Sequence, residues 1–118
     1  MITIHNKLVR NKIPSQIAFQ GKSVTYRKLT DPEEVQKALI SKLTEETSEL
    51  VAAMYAKSKD NIIEELADLK EVVLAIELYY HIEPVEVDDV FYQKRVDKGY
   101  LLDNIFLETV EDHKEELH

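Results

Sequence analysis

Two acidic clusters in the middle of the chain are the residues best suited to chemistry. The first reads Glu45-Glu46-x-x-Glu49 and the second Glu64-Glu65-x-x-Asp68. Carboxylates three residues apart lie on the same face of an α-helix. Two such pairs on facing helices would direct several oxygen atoms to one point, which suits Mg²⁺, Mn²⁺ or Ca²⁺ better than zinc. We therefore predict a metal site built from four carboxylates, those of Glu46, Glu49, Glu65 and Asp68.

Glu46 is the most informative of these acids. At 100° per residue it falls between Leu43 and Leu50, in the middle of the apolar stripe of its helix. A carboxylate in such a stripe is costly unless it is paired, protonated or bound to a metal. The periodicity leaves one alternative open, a stripe wide enough for Glu46 to reach solvent or to meet a lysine.

A helical hairpin must position the two clusters. The run Asp31-Pro32-Glu33-Glu34 combines a capping residue with a proline in the first turn, so it predicts a helix over about 32–57. A turn at 57–60, capped by Ser58 or Asp60, leads to a second helix over about 61–81. The midpoints of the acid pairs are equidistant from residue 57. In an antiparallel hairpin the pairs would therefore lie at the same height.

The other predicted elements are shorter. Pro14 begins a short helix that Gly21 ends, and Pro84 begins a helix over about 84–98 that Gly99 ends. The segments 23–29 and 104–110 read as extended and are expected to form a short β-ribbon. The predicted apolar stripe of the first hairpin helix contains Val35, Leu39, Leu43, Leu50, Ala53 and Met54. That of the second contains Ile62, Leu66, Leu69, Val73, Ile76 and Tyr80.

Composition favours one all-α domain spanning residues 1–118. Hydrophobic residues make up 44% of the chain, and only two Gly and three Pro are present. Because there is no Cys, a disulfide framework, a thiolate metal site and a cysteine nucleophile are excluded. The sequence shows neither a signal-peptide pattern nor a long apolar run, so we expect a cytoplasmic protein without a membrane partner.

The charge is distributed unevenly. The formal net charge is -8, yet the first thirty residues contain six Lys or Arg and no Asp or Glu. An acidic protein is a poor candidate for a stable nucleic-acid complex. A basic segment beside an acidic helical body suits a compact phosphorylated ligand bridged by metal ions. The alternative is that the basic segment docks on the acidic body or on a partner subunit, and the sequence leaves both open.

Several motifs together resemble one family. Glu45-Glu46-x-x-Glu49 followed by Glu65-x-x-Asp68 resembles the E-E-x-x-E…E-x-x-D signature of the all-α nucleotide pyrophosphohydrolases, which include MazG-like proteins and phosphoribosyl-ATP pyrophosphohydrolase. The stretch 5–14, HNKLVRNKIP, resembles the Y-N-K-L-V-R-D-K-I-P opening of a phosphoribosyl-ATP-pyrophosphohydrolase-like branch. Residues 94–100 resemble its K-x-x-x-R-G-G-F segment, and residues 105–107 resemble its closing strand. Asn11, Tyr100 and Leu101 depart from these patterns.

The resemblance implies an activity and roles for residues. It implies Mg²⁺-dependent hydrolysis, with Mn²⁺ as a substitute, of a nucleoside triphosphate or related nucleotide to the monophosphate and pyrophosphate. Glu45 or Glu49 would orient or deprotonate the attacking water, and the protein would be a homodimer or homotetramer. Phosphate-binding residues would be Lys7, Arg10, Lys12, Lys94 and Lys98. The alternatives are a non-catalytic helical metal-binding or interaction module and a specific phosphoribosyl-ATP pyrophosphohydrolase.

Overall fold

The computed structural model describes residues 1–113 and is helical throughout its regular elements. The helices are α1 (Ile13–Phe19), α2 (Pro32–Ala56), α3 (Lys59–Tyr79) and α4 (Pro84–Lys98), followed by a 3₁₀ turn at Leu101–Asp103. The predicted all-α class and central hairpin are confirmed. No helix among the described residues has the length and apolar character needed to cross a membrane.

Capping residues explain where α2 and α3 begin. Asp31 accepts a hydrogen bond from the backbone N–H of Glu34 at 3.1 Å, and Pro32 occupies the first turn. Ser58, one of the two predicted caps, accepts from the N–H of Asn61 at 3.4 Å. These bonds satisfy backbone donors that a helix start leaves unpaired.

A tight connection joins the two long helices. Lys57 adopts the left-handed conformation with φ 55°, and Ser58 donates its backbone N–H to the carbonyl of Ala53. At the other end of the hairpin, the Tyr79 hydroxyl donates to the Pro32 carbonyl at 3.4 Å. With both ends tied in this way, α2 and α3 run antiparallel, which places the two acidic clusters at one height as predicted.

The hairpin core is small. Its buried apolar side chains among the described residues are Leu39, Ala53 and Val72. Half-buried Leu43, Leu50 and Leu69 extend this core. Leu66, Val73 and Tyr80, which we predicted in the stripe of the second hairpin helix, are instead exposed, as is Met54 of the first stripe. The face of α3 that packs on α2 is therefore rotated towards Val72 and Glu65.

The predicted β-ribbon is wrong. Residues 23–29 and 104–110 both lie in the described part of the chain, and neither forms a strand. A two-stranded ribbon is only marginally stable unless it packs against another element. Val24 and Leu29 are half-buried, whereas all of 104–110 is exposed, so the second segment has no apolar contact to hold it in a sheet.

The chain divides into two compact units, one formed by Met1–Pro84 and the other beginning at Val85. The first contains α1 and the hairpin. In the second, the Arg95 guanidinium lies over the rings of Phe91 and Tyr100, at 5.7 and 4.8 Å from their centroids. Such cation–π contacts attach the segment after Gly99 to α4. A single domain for the whole chain remains a prediction.

Candidate metal centre

Three carboxylates converge where α2 faces α3. Oxygen atoms of Glu46, Glu49 and Glu65 all lie within 4.8 Å of one another. Glu46 and Glu49 are one helical turn apart on α2, and Glu65 approaches from the facing turn of α3. Three of the four predicted metal ligands therefore come together in one group. Their repulsion would be relieved by a proton or a cation between them.

Glu46 lies inside the helix interface, as its position in the apolar stripe predicted. It is only 5% exposed. Its Oε1 atom lies 3.2 Å from the ammonium of Lys42, one turn earlier on α2. Its Oε2 atom is buried and has no hydrogen-bond partner. The lysine contact, which the sequence left open as an alternative, thus satisfies only one of the two oxygens.

Glu65 shows the same feature from the other helix. The side chain is half-buried, and its Oε2 atom is buried without a hydrogen-bond partner. A buried carboxylate oxygen without a donor is energetically costly. Glu46 and Glu65, on facing helices, both belong to the convergent group, and each has one such oxygen. A cation bound between the helices would give both oxygens a partner.

The protonation of Glu49 reflects this crowding. Desolvation raises the pKa of Glu49 above its ordinary value of 4.5, and contact with Glu65 and the charge of that residue raise it further. The side chain of Glu46 partly opposes this effect. A raised pKa means that Glu49 gives up its proton less readily here than in water.

Asp68, the fourth predicted ligand, lies outside this group. Its Oδ1 atom accepts a hydrogen bond from the Arg10 guanidinium at 3.0 Å. The same guanidinium approaches Glu71 at 3.8 Å. Glu45 is also paired, with Lys7 at 3.2 Å and with Lys42 at 3.6 Å. The docking of the basic segment on the acidic body, one of the two alternatives from the charge pattern, is thus observed within the first unit.

The remaining predicted phosphate-binding residues are distributed over both units. Lys12 precedes α1, and its carbonyl accepts a hydrogen bond from the Ser15 hydroxyl. Lys94 and Lys98 lie on α4, in the second unit. All three are exposed, and their contacts with phosphate stay predictions.

Our sequence reasoning missed two residues of this region. Lys42 stands four residues before Glu46, and Glu71 stands three residues after Asp68. Both spacings place side chains on one helical face, so the signal was present. It was not selective, because similar pairs recur along a chain in which 32% of the residues are charged.

Comparison with known proteins identifies the region that carries these acids. The model of the MazG nucleotide pyrophosphohydrolase domain matches residues 34–98, more than half of the chain. The match spans the hairpin from the third residue of α2 and continues to the end of α4. No curated protein and no solved structure matched the chain.

Proposed function

Because the chain belongs to the MazG nucleotide pyrophosphohydrolase family, we propose that it hydrolyses a nucleoside triphosphate or related nucleotide to the monophosphate and pyrophosphate. The observation that carries the proposal is the pair of buried, unpartnered oxygens of Glu46 and Glu65 in a group of three carboxylates. Such a group suits a divalent cation, and phosphate chemistry is a common use of a carboxylate-bound cation. Nucleoside triphosphates as substrates fit a cytoplasmic location.

The donor set fits Mg²⁺, with Mn²⁺ as a substitute. The three converging ligands are all carboxylates, the oxygen donors that these hard cations prefer. Glu46, Glu49 and Glu65 would hold the cation, with Asp68 as a further ligand one turn along α3. When bound, the cation would offset negative charge on the phosphates and make water more acidic.

We assign to Glu49 the role of the base that accepts the proton of the attacking water. Glu49 belongs to the converging group, so its carboxylate could accept the proton of a water held there. As the water oxygen bonds to the α-phosphorus, the bond from that phosphorus to the bridging oxygen breaks and pyrophosphate leaves. Glu45 is already held by two lysines, so it is better placed to orient the water than to accept its proton.

Cations of the first unit would bind the phosphates. Lys7 and Arg10 lie beside the acidic group, where they contact Glu45 and Asp68. Lys12 completes this set in the first unit, and phosphate contacts of Lys94 and Lys98, in the second unit, stay expectations from the resemblance. Lysine and arginine are the usual donors to phosphate oxygens, particularly in a chain with too few glycines to form a phosphate-binding loop.

A nucleotide panel tests the proposal directly. Purified protein is incubated with nucleoside triphosphates and phosphoribosyl-ATP, and pyrophosphate release is measured with Mg²⁺, with Mn²⁺ and with EDTA. We expect cation-dependent release from at least one substrate. A preference for phosphoribosyl-ATP would favour the alternative of a specific phosphoribosyl-ATP pyrophosphohydrolase. No release from any substrate would favour the non-catalytic metal-binding or interaction module.

The role of Glu49 is tested by Glu49→Gln, which we expect to lower kcat at least about 100-fold, the usual scale for a lost base. Glu64→Gln is the matched control, because Glu64 is an exposed acid on α3 outside the convergent group. It should retain turnover within about twofold, as remote surface changes do. Circular dichroism should show both variants folded. Unchanged turnover in folded Glu49→Gln would refute the assignment.

A further inference from the structure

Two cations from the N-terminal segment hold acids at the edge of the proposed metal site. Arg10 donates to Asp68 at 3.0 Å and reaches Glu71 at 3.8 Å, so one guanidinium bridges two acids of α3. Lys7 donates to Glu45 at 3.2 Å on α2. We call Lys7 and Arg10 the cationic clasp. It joins the N-terminal segment to both helices of the hairpin.

In the proposed site, Arg10 and the cation would compete for the carboxylate of Asp68. Asp68 follows Glu65 by one turn of α3, yet it is not part of the group whose oxygens lie within 4.8 Å. Its Oδ1 atom is instead bonded to Arg10. A guanidinium and a metal cation that share one carboxylate repel each other. Binding at Asp68 by one must therefore weaken binding by the other.

The ion pair of Arg10 with Asp68 can be replaced by other partners at small cost. The side chains of Arg10 and Asp68 are 53% and 41% exposed. Ion pairs this exposed contribute little to stability, so a ligand can replace one partner at small cost. The same guanidinium is among the groups proposed to bind phosphate, and phosphate is an equally suitable bidentate partner for it.

We propose that the clasp is an exchangeable counterion that makes the site select a cation–polyphosphate complex over the free cation. This inference rests on the proposed function. Without ligand, Arg10 neutralises Asp68 and disfavours a lone divalent cation. When cation and phosphates arrive together, Arg10 transfers to the phosphates and Asp68 turns to the cation. Arg10 is thus a positioning residue for Asp68, and cation and nucleotide strengthen each other's binding.

The test is an Mn²⁺ titration of the full, nucleotide-free chain by calorimetry. Arg10→Gln should bind Mn²⁺ about fivefold more tightly than the wild type, because one nearby positive charge is removed. Arg27→Gln is the matched control, since Arg27 forms an equivalent pair with Glu34 at 2.8 Å at the start of α2. It changes the net charge equally and should leave Mn²⁺ affinity nearly unchanged. The gain in Arg10→Gln should shrink at high salt.

A double-variant cycle separates the local contact from a general charge effect. In an Asp68→Asn background, Arg10→Gln should no longer tighten Mn²⁺ binding, because the contested carboxylate is gone. Equal Mn²⁺ affinity in wild type and Arg10→Gln would overturn the proposal, as would an equal gain in Arg27→Gln. Arg10→Lys, which keeps the charge but not the bridge to Glu71, should lie between wild type and Arg10→Gln in Mn²⁺ affinity.

The clasp and the proposed function fail in different ways. If the protein releases pyrophosphate but wild type and Arg10→Gln bind Mn²⁺ equally well, the clasp alone is refuted. A confirmed Mn²⁺ effect without pyrophosphate release from any nucleotide refutes the activity alone. For an active enzyme, Arg10→Gln should raise the KM for nucleotide while it tightens free Mn²⁺. A simple loss of folding would weaken both kinds of binding together.

Discussion

At the residue scale, the most consequential feature is the crowding of three carboxylates, Glu46, Glu49 and Glu65, at the interface of α2 and α3. Glu46 is buried with one oxygen unpaired, and Glu49 stands beside Glu65 with a raised pKa. Each of these arrangements costs folding free energy. Sites that bind cations tolerate this cost because the ligand offsets it on binding.

The raised pKa of Glu49 predicts how the stability of the metal-free protein depends on pH. Below about pH 4.5 both folded and unfolded chains hold the proton. As the pH rises further, the unfolded chain releases it first, so unfolding becomes more favourable until the folded-state pKa is passed. Denaturant unfolding in EDTA between about pH 4 and about pH 8 measures this loss of stability. Glu49→Gln should remove it and be more stable than wild type near neutral pH.

The control for this prediction is Glu64→Gln, which should follow the wild-type curve because Glu64 lies outside the group. The result to look for is the stability difference between wild type and Glu49→Gln. If that difference does not change with pH, the crowding of Glu49 by Glu65 does not cause the pH dependence of the free energy of unfolding.

Local residue positions were predictable from the sequence, whereas long-range pairs were not. The burial of Glu46 followed from its place between Leu43 and Leu50 in the helical repeat. The contact of Arg10 with Asp68 joins residues 58 positions apart. Exposed ion pairs of this kind leave no periodic signal, because each partner is an ordinary surface residue in the sequence. Only the acid-free composition of the first thirty residues hinted at docking.

At the element scale, the hairpin depends on a short connection in an unfavourable conformation. Lys57 has φ 55°, a left-handed conformation in which a side chain is strained and glycine is not. It lets the N–H of Ser58 bond to Ala53 and directs the chain into α3. The facing positions of the two acidic clusters depend on this turn.

Replacing this residue should stabilise the protein. Lys57→Gly removes the left-handed strain, and we expect a gain of roughly 0.5–1 kcal/mol in the free energy of unfolding. Lys70→Gly is the matched control, because Lys70 is exposed in the interior of α3. There the same change should cost about 1 kcal/mol. Chemical denaturation measures both, and a loss of stability in Lys57→Gly would show that the turn is not strained.

Helix boundaries were predictable because capping residues are local signals. Asp31, Pro32 and Pro84 marked the starts of α2 and α4, and Gly99 follows the last residue of α4. The packing face of α3 was harder to predict. Apolar residues occur on more than one side of this helix, so the repeat alone could not decide between a face centred near Val73 and the observed one near Val72.

At the scale of the whole molecule, the hairpin has a second apolar surface that the described residues do not cover. Its residues recur at the spacing of one helical face: Ile40, Val51 and Met54 on α2, and Leu66 and Val73 on α3 with Tyr80 directly after its last residue. All six are exposed. Because the helices are antiparallel, both rows fall on the same side of the hairpin. This second surface is the reason that the stripe of α3 was misplaced.

We expect a second copy of the chain to cover this surface, consistent with the homodimer or homotetramer implied by the resemblance. Ile40→Glu would place a charge in the interface and should shift the protein towards monomer, because burying an unpaired carboxylate is costly. Ser41→Glu is the matched control, since the neighbouring position points about 100° away around α2 and adds the same charge. Light scattering coupled to size-exclusion chromatography, at several protein concentrations, gives the mass of each variant. A monomeric wild type, or equal masses for the two variants, would show that this face does not join copies of the chain.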